Sequence, residues 1–396
     1  MVAPAAPQQT SWASWAVVQA TPNDTRGRRL VAARACRKND VLLRERPLLL
    51  WGPDARAEVV VAGGASLEDV GKELGDWDAL AAHAALRRLS VAERSAVLQL
   101  EGGAGERAAD ALLAAQALVE RRPELAEALG GQDGIAEYAE TVGIIAANAT
   151  ENSDGRRALY AALSMANHAC APNAAWRTVD PATGEKELVC IARSMPPGEE
   201  ACISYLPERD LFLLDLEGRR RRLQDSRGFA CLCDRCQAAE QNGESAGEQE
   251  LRRLSSALLE GGSLRSMPTD KETAVQQCKD LGRGLRRLDV LWPPASALKA
   301  SLWNAFFELL CICGAPQALK EGAAQKALEE SRPCVGDSAW TEQARQLQER
   351  LQAVPRPPRP AAEEAAGEGG DAKELPPEET VSAEEKKAAE AMEQVD

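Results

Sequence analysis

The chain has 396 residues, of which 44% are hydrophobic and 4% aromatic, and its 61 acidic and 47 basic side chains give a net charge of −14. This length is sufficient for two or three domains with cores of their own. The acidic balance argues against direct binding to a nucleic-acid backbone, which usually requires a basic face. A basic protein partner fits the sign of the charge better.

The N-terminus shows no charged region followed by an apolar run, and no apolar stretch approaches the roughly 18 residues of a membrane span. We therefore expect no membrane association and a location in the nucleus, the cytoplasm or both. The 11 cysteines are sparse, and three of them lie within six positions. Such clustering favours a metal site in a reducing compartment over a disulfide framework.

The first predicted unit, residues 12–50, is a block of short β-strands. Residues 15–20 and 30–35 have strand character and flank the polar turn 21–27. A second turn at 37–40 leads into another strand at 41–43. Short strands divided by turns are typical of a small β domain that folds back on itself.

An Ala- and Leu-rich region follows, and its apolar residues recur at helical spacing. We interpret residues 51–140 as a helical insertion, in which Ser90 and Glu93 form a capping box. Residues 141–210 then return to the first plan, with predicted strands at 187–192 and 201–205 around a Pro-Pro-Gly turn.

After a polar, cysteine-containing segment at 211–240, helical patterns resume over residues 248–353 and predict an all-α domain. Proline-rich residues 355–360 mark its end, because successive prolines favour an extended chain. Residues 361–396 contain 12 Asp and Glu against three Lys, a net charge of −9. This composition cannot repay the entropy of ordering, so we expect residues 355–396 to be a disordered acidic tail.

Cys231, Cys233 and Cys236 form the clearest chemical motif. Thiolates bind zinc well, and a structural site needs four ligands in a tetrahedron. The alternative is that these cysteines are small buried hydrophobic residues. The flanking Arg227, Asp234 and Arg235 make the segment polar and favour the metal site, whose fourth ligand must come from elsewhere in the chain.

Three segments in this order resemble the signature of SET-domain protein methyltransferases. They are Asn167-His-Ala-Cys-Ala-Pro-Asn173, Gly198-Glu-Glu-Ala-Cys-Ile-Ser-Tyr205 and the cysteines at 231–236. The resemblance implies an α+β fold: a SET β-fold with a pseudoknot, split by the helical insertion, then a post-SET zinc segment and a helical-repeat-like C-terminal domain. It also implies protein-lysine N-methyltransferase activity with S-adenosylmethionine as cofactor and one structural zinc ion.

The same resemblance assigns roles to individual residues. Cys170 becomes the fourth zinc ligand, and Tyr205 becomes the catalytic residue beside the methyl group in transit. The cofactor site that it implies consists of Gly27, Arg28, Arg29, Asn148, Asn167, His168, Tyr205 and Phe229. The implied substrate channel is formed by Tyr160, Tyr205 and Phe229. For Tyr160 and Phe229 a role as core aromatics remains an equal alternative, and His83 is interpreted as a core or surface histidine without a catalytic role.

The order of segments is most similar to the branch of SET proteins that combines a split SET domain with a MYND zinc finger. No cysteine lies between Cys36 and Cys170, so we expect no MYND finger here. The first cofactor loop also departs from the family's Gly-x-Gly, because Arg29 replaces the second glycine. A left-handed or strained backbone at Arg29 would weaken cofactor binding. Asn39, which replaces another family glycine, tolerates positive φ.

We therefore expect a monomeric lysine methyltransferase acting on a protein with an accessible lysine, either a histone or another protein. The alternative is a catalytically silent SET-fold scaffold or peptide-binding protein, and a third is a zinc-stabilised interaction protein without cofactor. The basic run Arg219–Arg222 is interpreted as a solvated helix face in preference to a nuclear-localisation signal.

Overall fold

The computed structural model describes residues 16–20, 28–52, 67–100, 102, 105–259, 268 and 270–353. Gly27, the turn at 21–27 and the acidic tail lie outside the described residues. The strands are β1 (Ala16–Ala20), β2 (Arg28–Ala32), β3 (Cys36–Arg37), β4 (Val41–Glu45), β5 (Leu49–Trp51), β6 (Thr150–Glu151), β7 (Arg157–Leu159), β8 (Ala174–Asp180), β9 (Glu185–Cys190) and β10 (Ser194–Met195).

The two halves of the β region interleave. β4 pairs with β9 and β9 with β8, while β5 pairs with β7 and β7 with β6, all antiparallel. β10 pairs with β3, and β1 pairs with β2 as a hairpin. Strands that precede and follow the insertion thus share sheets, so the insertion leaves and re-enters one β domain.

Residues 201–205 differ from prediction, because they form no regular strand. Their backbone bonds go to separate segments: the Ala201 amide donates to the carbonyl of Leu30 (2.8 Å), and the Ile203 amide to that of Asn167 (2.9 Å). A single parallel bridge joins Ile203 to His168. The segment lies between two neighbours instead of along one ladder, and this crossing is what the predicted pseudoknot requires. Gly198 has φ 81°, as the predicted turn needs.

Helices occupy the insertion. They are α1 (Leu67–Leu74), α2 (Trp77–Leu86), α3 (Val91–Leu98), α4 (Glu106–Arg121), α5 (Ala126–Leu129) and α6 (Gly131–Asn148). The predicted capping box at Ser90 and Glu93 is present at the start of α3. Leu80, Leu118, Leu129 and Ile144 belong to one buried core, against which Leu49 and Trp51 of β5 also pack.

The remaining helices are α7 (Glu208–Leu213), α8 (Leu216–Arg227), α9 (Asp234–Asn242), α10 (Ala246–Leu259), α11 (Lys271–Leu291), α12 (Ala297–Cys313), α13 (Gln317–Ser331) and α14 (Asp337–Ala353). Their core also contains the four cysteines at 170–236. Among the described helices, none is long and apolar enough to cross a bilayer.

Charged groups join the helical C-terminal part to the β domain. Glu330 on α13 lies 3.2 Å from Lys38 and 3.1 Å from the buried Lys299. Arg177 on β8 pairs with Glu187 and donates to the carbonyl of Arg332 (2.7 Å). The predicted α+β fold class, with an inserted helical region and a C-terminal all-α region, is therefore confirmed.

Candidate functional site

Four cysteine sulfurs converge where the loop after residue 167 meets the start of α9. Cys170, Cys231, Cys233 and Cys236 bring their sulfurs within 4.8 Å of one another. The Cys170 sulfur lies 3.9 Å from that of Cys231 and 3.5 Å from that of Cys236. Four sulfurs bound to one zinc at about 2.3 Å lie about 3.8 Å apart, so the arrangement fits a tetrahedral zinc site.

The surroundings favour the thiolate form at Cys233 and Cys236, whereas hydrogen bonds with the neighbouring cysteines raise the pKa of Cys170, and the pKa of Cys231 is raised as well. A hydrogen bond from Cys170 lowers the pKa of Cys236 to about 7 and that of Cys233 below its usual range. The backbone amide of Cys170 donates to the Cys233 sulfur (3.3 Å), and the amide of Cys233 donates to the Cys231 sulfur (3.4 Å). These donors favour the charged form that a metal binds.

Arg219 and Arg235 supply positive charge to this cluster. Arg235 donates to the carbonyl of Cys170 (2.8 Å), and its side chain is only 8% exposed. Arg219 is 1% exposed, and although burial opposes its charge, Cys170 and Cys236 raise its pKa. The prediction of a solvated face is therefore wrong at Arg219, because this side chain turns inward, while Arg220 and Arg222 pair with surface acids.

His168 connects the cysteine cluster to Tyr205. Its Nδ1 accepts a hydrogen bond from the Tyr205 backbone amide (2.9 Å), and its Nε2 lies 3.3 Å from the Cys170 sulfur. An accepting Nδ1 places the proton of a neutral ring on Nε2, which donates to the sulfur. Burial lowers the pKa of His168 to about 4, so the ring is neutral at pH 7. Both ring nitrogens therefore have partners within the protein.

Tyr205 lies in a small aromatic group with His168 and Phe229. Its ring centroid is 5.4 Å from that of His168 and 6.2 Å from that of Phe229. The Tyr205 hydroxyl donates to the carbonyl of Ala166 (2.8 Å). Because the proton points to this carbonyl, the lone pairs of the phenol oxygen are oriented away from it.

The asparagines at the site hold backbone segments in place. The Asn167 side chain donates to the Glu200 carboxylate (2.8 Å) and to the carbonyl of Arg28 (3.2 Å). It thereby joins β2 to the crossing at 200–205. Asn148 ends α6, and its side-chain amide donates back to the carbonyl of Ile144 (2.9 Å).

The structure differs from the prediction of strain at Arg29. Arg29 lies within β2 and pairs with Gln19. Among the described residues other than glycine, Asn39 alone has positive φ, at 76°. Arg29 therefore has extended backbone, because the hairpin ladder and not a glycine turn defines its geometry. Its Nε is buried without a hydrogen-bond partner among the described residues.

Tyr160 belongs to the β core, against which Tyr205 also packs. It is fully buried in the β core, and its hydroxyl donates to the carbonyl of Gly184, in the turn between β8 and β9. The role of Tyr160 in a substrate channel stays a prediction. The core alternative describes it, because a buried hydroxyl needs a partner and this turn supplies one.

A cavity of about 700 Å³ lies between the insertion and the end of α8. Its walls include Asp76, Tyr138 and Ile145 from the insertion, with Arg157 and Arg227 opposite. The guanidinium carbon of Arg227 is 5.3 Å from the centroid of the Tyr205 ring, so this wall of the cavity is shared with the Tyr205 group. Sequence reasoning missed Arg227 and Tyr138 as wall residues, because neither belongs to a motif.

Comparisons with known proteins identify a domain family and several relatives. The SET domain family model matches residues 27–206, so this part of the chain is a SET domain. The chain is 36% identical over 81 residues to histone-lysine N-methyltransferase ASHR2 of Arabidopsis thaliana, a match that covers 20% of the chain and 19% of that protein. It is 34% identical over 86 residues to histone-lysine N-methyltransferase SMYD3 of Homo sapiens, covering 22% of the chain and 18% of that protein.

A further relative is SET domain-containing protein SmydA-8, isoform B, of Drosophila melanogaster, which is 33% identical over 119 residues, or 28% of the chain and 25% of the relative. The chain thus matches about a fifth to a quarter of these relatives' lengths. Among solved structures, the SET domain of LSMT bound to lysine and AdoHcy is similar with a TM-score of 0.34 and 15% identity, covering 87% of this chain and 89% of that one.

Proposed function

Because residues 27–206 of the chain match the SET domain, we propose that the protein is a protein-lysine N-methyltransferase. It uses S-adenosylmethionine and one structural zinc ion. The observation that carries the proposal is the link from the cysteine cluster through His168 to the Tyr205 backbone, beside a cavity of small-molecule size. Cavities of roughly 300–1,000 Å³ are typical of cofactor sites. The matched segments of three relatives belong to proteins named as histone-lysine methyltransferases or SET-domain proteins.

When bound, S-adenosylmethionine supplies an activated methyl group. The residues of this chain then align the acceptor. The Tyr205 hydroxyl donates its proton in a hydrogen bond to the Ala166 carbonyl. Its oxygen can therefore accept a hydrogen bond from the N–H of an incoming lysine amine. Alignment of a neutral amine with the methyl carbon contributes most of the rate in a displacement of this kind. The substrate lysine releases its ammonium proton to solvent before its neutral amine attacks.

His168 has a positioning role in this proposal. Its two nitrogens are occupied by the Tyr205 amide and the Cys170 sulfur, so it does not bond the cofactor through its ring. It fixes the backbone of Tyr205 relative to the metal site. In the same way, Asn167 fixes β2 relative to residue 200. Phe229 and the ring of Tyr205 provide an apolar wall that excludes water from the amine.

The proposal extends to partners and location. The substrate is a protein with an accessible lysine, a histone or another basic protein, which suits the net charge of −14. We propose that the enzyme acts as a monomer, in the nucleus or the cytoplasm. The scaffold alternative has one observation in its favour, because the Arg227 side chain covers the Tyr205 ring.

Radiolabelled S-adenosylmethionine incubated with the protein and a mixed cell extract tests the activity and reveals the target together. Replacement of Tyr205 by Phe should reduce transfer roughly 100-fold, the size typical of one positioned polar group, with unchanged affinity for the cofactor in calorimetric titration. Tyr160→Phe is the matched control, because the Tyr160 hydroxyl donates to the carbonyl of Gly184 in a turn. We expect it to lower the melting temperature and to leave transfer intact. Equal activity of the wild type and Tyr205→Phe would contradict the role of Tyr205.

A further inference from the structure

Arg227 ends α8 and reaches across to the insertion. Gly228, with φ 76°, terminates the helix in a left-handed cap. From there the Nη1 of Arg227 donates to the carbonyls of Ala146 (2.9 Å) and Ala147 (3.2 Å), near the C-terminal end of α6. Helix C-termini leave carbonyls without intrahelical partners and favour cations. This contact ties the post-SET helix to the insertion.

The other edge of the same guanidinium has no such partner. The described residues show no hydrogen bond from its Nε or Nη2, and Arg227 lines the cavity. Asp76, Asp78 and Asp110 line the same cavity, but Asp78 pairs with Arg157 and Asp76 caps α2, and the described residues show no ion pair of Arg227. Burial lowers the pKa of Arg227, Tyr205 acts in the opposite direction, and the positive charges of Arg157 and Arg107 lower the pKa further. A partly buried cation without an ion pair to the described residues thus lines the cavity.

The two other arginines of the cavity wall are less suited to bind an anion. Arg157 is already paired with Asp78. Arg107 is exposed on α4 and donates only to the carbonyl of Ser226, at 3.4 Å. Arg227 combines partial burial, a fixed Nη1 and the 5.3 Å approach to the Tyr205 ring. A planar fork held in this way is suited to a bidentate contact with a carboxylate.

We propose that the Nε–Nη2 edge of Arg227 binds the α-carboxylate at the amino-acid end of S-adenosylmethionine. The inference rests on the proposed function, because it takes the cofactor from there. It adds a residue that none of the sequence motifs contains. In this role Arg227 is bound on one edge by the α6 carbonyls and on the other by the ligand, so cofactor binding connects the insertion to the post-SET segment.

Calorimetric titration with two ligands tests the role of Arg227. The ligands are S-adenosylmethionine and its decarboxylated analogue, which keeps the sulfonium, the adenosine and the amine but lacks the carboxylate. In the wild type we expect the intact cofactor to bind about 10- to 100-fold more tightly, the range for charge-assisted hydrogen bonds. In Arg227→Gln this preference should fall to about one, with the affinity for the decarboxylated analogue nearly retained.

The control is Arg222→Gln, which removes an arginine of the same helix whose partner is Asp210 at the surface. It should keep the full preference of the wild type. Arg227→Lys should retain part of this preference, because a point charge remains without the planar fork. The Lys variant serves as the test if Arg227→Gln does not fold. Equal losses for both ligands in Arg227→Gln would mean that Arg227 is only a structural tether, and would overturn the inference.

Two other outcomes separate the inference from its premise. If Arg227→Gln bound S-adenosylmethionine more tightly than the wild type, Arg227 would obstruct the cavity. The proposed contact with the carboxylate would then be wrong, while S-adenosylmethionine would still be the cofactor. If the wild type bound neither ligand and Arg227→Gln bound neither, the cofactor itself would be wrong, and both proposals would fall in favour of the scaffold.

Discussion

The insertion and the Tyr205 site each bury one of the two histidines of the chain, and the two side chains have nearly equal pKa values. Burial lowers the pKa of His83 and of His168 to about 4. Their partners differ. His83 contacts the carbonyl of Leu129 (3.1 Å) inside the core of the insertion, whereas His168 lies between a cysteine sulfur and the backbone of Tyr205.

The comparison teaches that a shifted pKa alone does not identify a functional residue. Desolvation lowers the pKa of any buried histidine, whatever its role. What distinguishes His168 is that its two nitrogens join groups from separate segments, both of which belong to the candidate site. Variants at the two histidines and at the cysteine cluster can therefore break or sharpen the distinction.

The largest effect is expected at Cys170. Purified wild-type protein should contain about one zinc per chain, and Cys170→Ser should lose most of it and melt at a much lower temperature, because metal binding contributes directly to folding free energy. Elemental analysis and thermal unfolding measure both. Cys278→Ser is the control, since Cys278 is buried in the same core but is not one of the four cysteines whose sulfurs lie together. Zinc loss from that variant and full zinc in Cys170→Ser would show that the ligand set is wrong.

A smaller effect is expected at His168. His168→Ala removes the partner of the Cys170 sulfur and of the Tyr205 amide together, so zinc affinity and methyl transfer should both fall, roughly 10- to 100-fold. Competition with a chelator measures the first, and the transfer assay measures the second. His83→Ala should destabilise the insertion but retain zinc. If His168→Ala kept both properties, the link between the metal and Tyr205 would have no function.

The smallest effect concerns acid sensitivity at His83. Its pKa is about 4 in the folded protein and about 6.5 when unfolded. The unfolded chain therefore binds more protons between these values, and the stability that His83 contributes is present at pH 7 and lost as the pH falls. From pH 7 to pH 5 the loss is about 2 kcal/mol.

Urea unfolding of wild type and His83→Leu at several pH values measures this contribution as a difference, so that other titrating groups cancel. The variant should be less stable at pH 7, because the carbonyl of Leu129 loses its partner, but its stability should fall less steeply towards pH 5. Parallel pH profiles for the two proteins would contradict the assignment of His83 as a buried neutral residue.

The cysteine motif and the crossing segments show what could be predicted locally. Cys231, Cys233 and Cys236 lie in one short loop and helix turn, so their spacing alone indicates a shared metal. The fourth member, Cys170, followed only from family resemblance, because no local rule connects residues about 60 positions apart. The structure brings its sulfur to the other three.

The arginines and tyrosines show where prediction stopped. Arg219 belongs to a run of four arginines, yet it alone is fully buried. Its side chain faces the cysteine cluster, which provides a counter-charge. Tyr160 precedes one sequence motif and Tyr205 ends another. The Tyr160 hydroxyl donates to the turn at Gly184, whereas the Tyr205 hydroxyl donates to the carbonyl of Ala166. Sequence periodicity does not encode which buried oxygen a hydroxyl reaches.

By itself the sequence determined the α+β class, the helical insertion, the capping box at Ser90 and the three-cysteine motif, because each depends on spacing within a few turns of chain. Only the tertiary structure decided that Arg29 has extended backbone, that His168 uses both nitrogens inside the protein and that Arg227 lies over Tyr205. These contacts join residues from separate segments that the folded chain brings together. Their geometry depends on the balance of burial and hydrogen bonding across the whole domain, which no local pattern records.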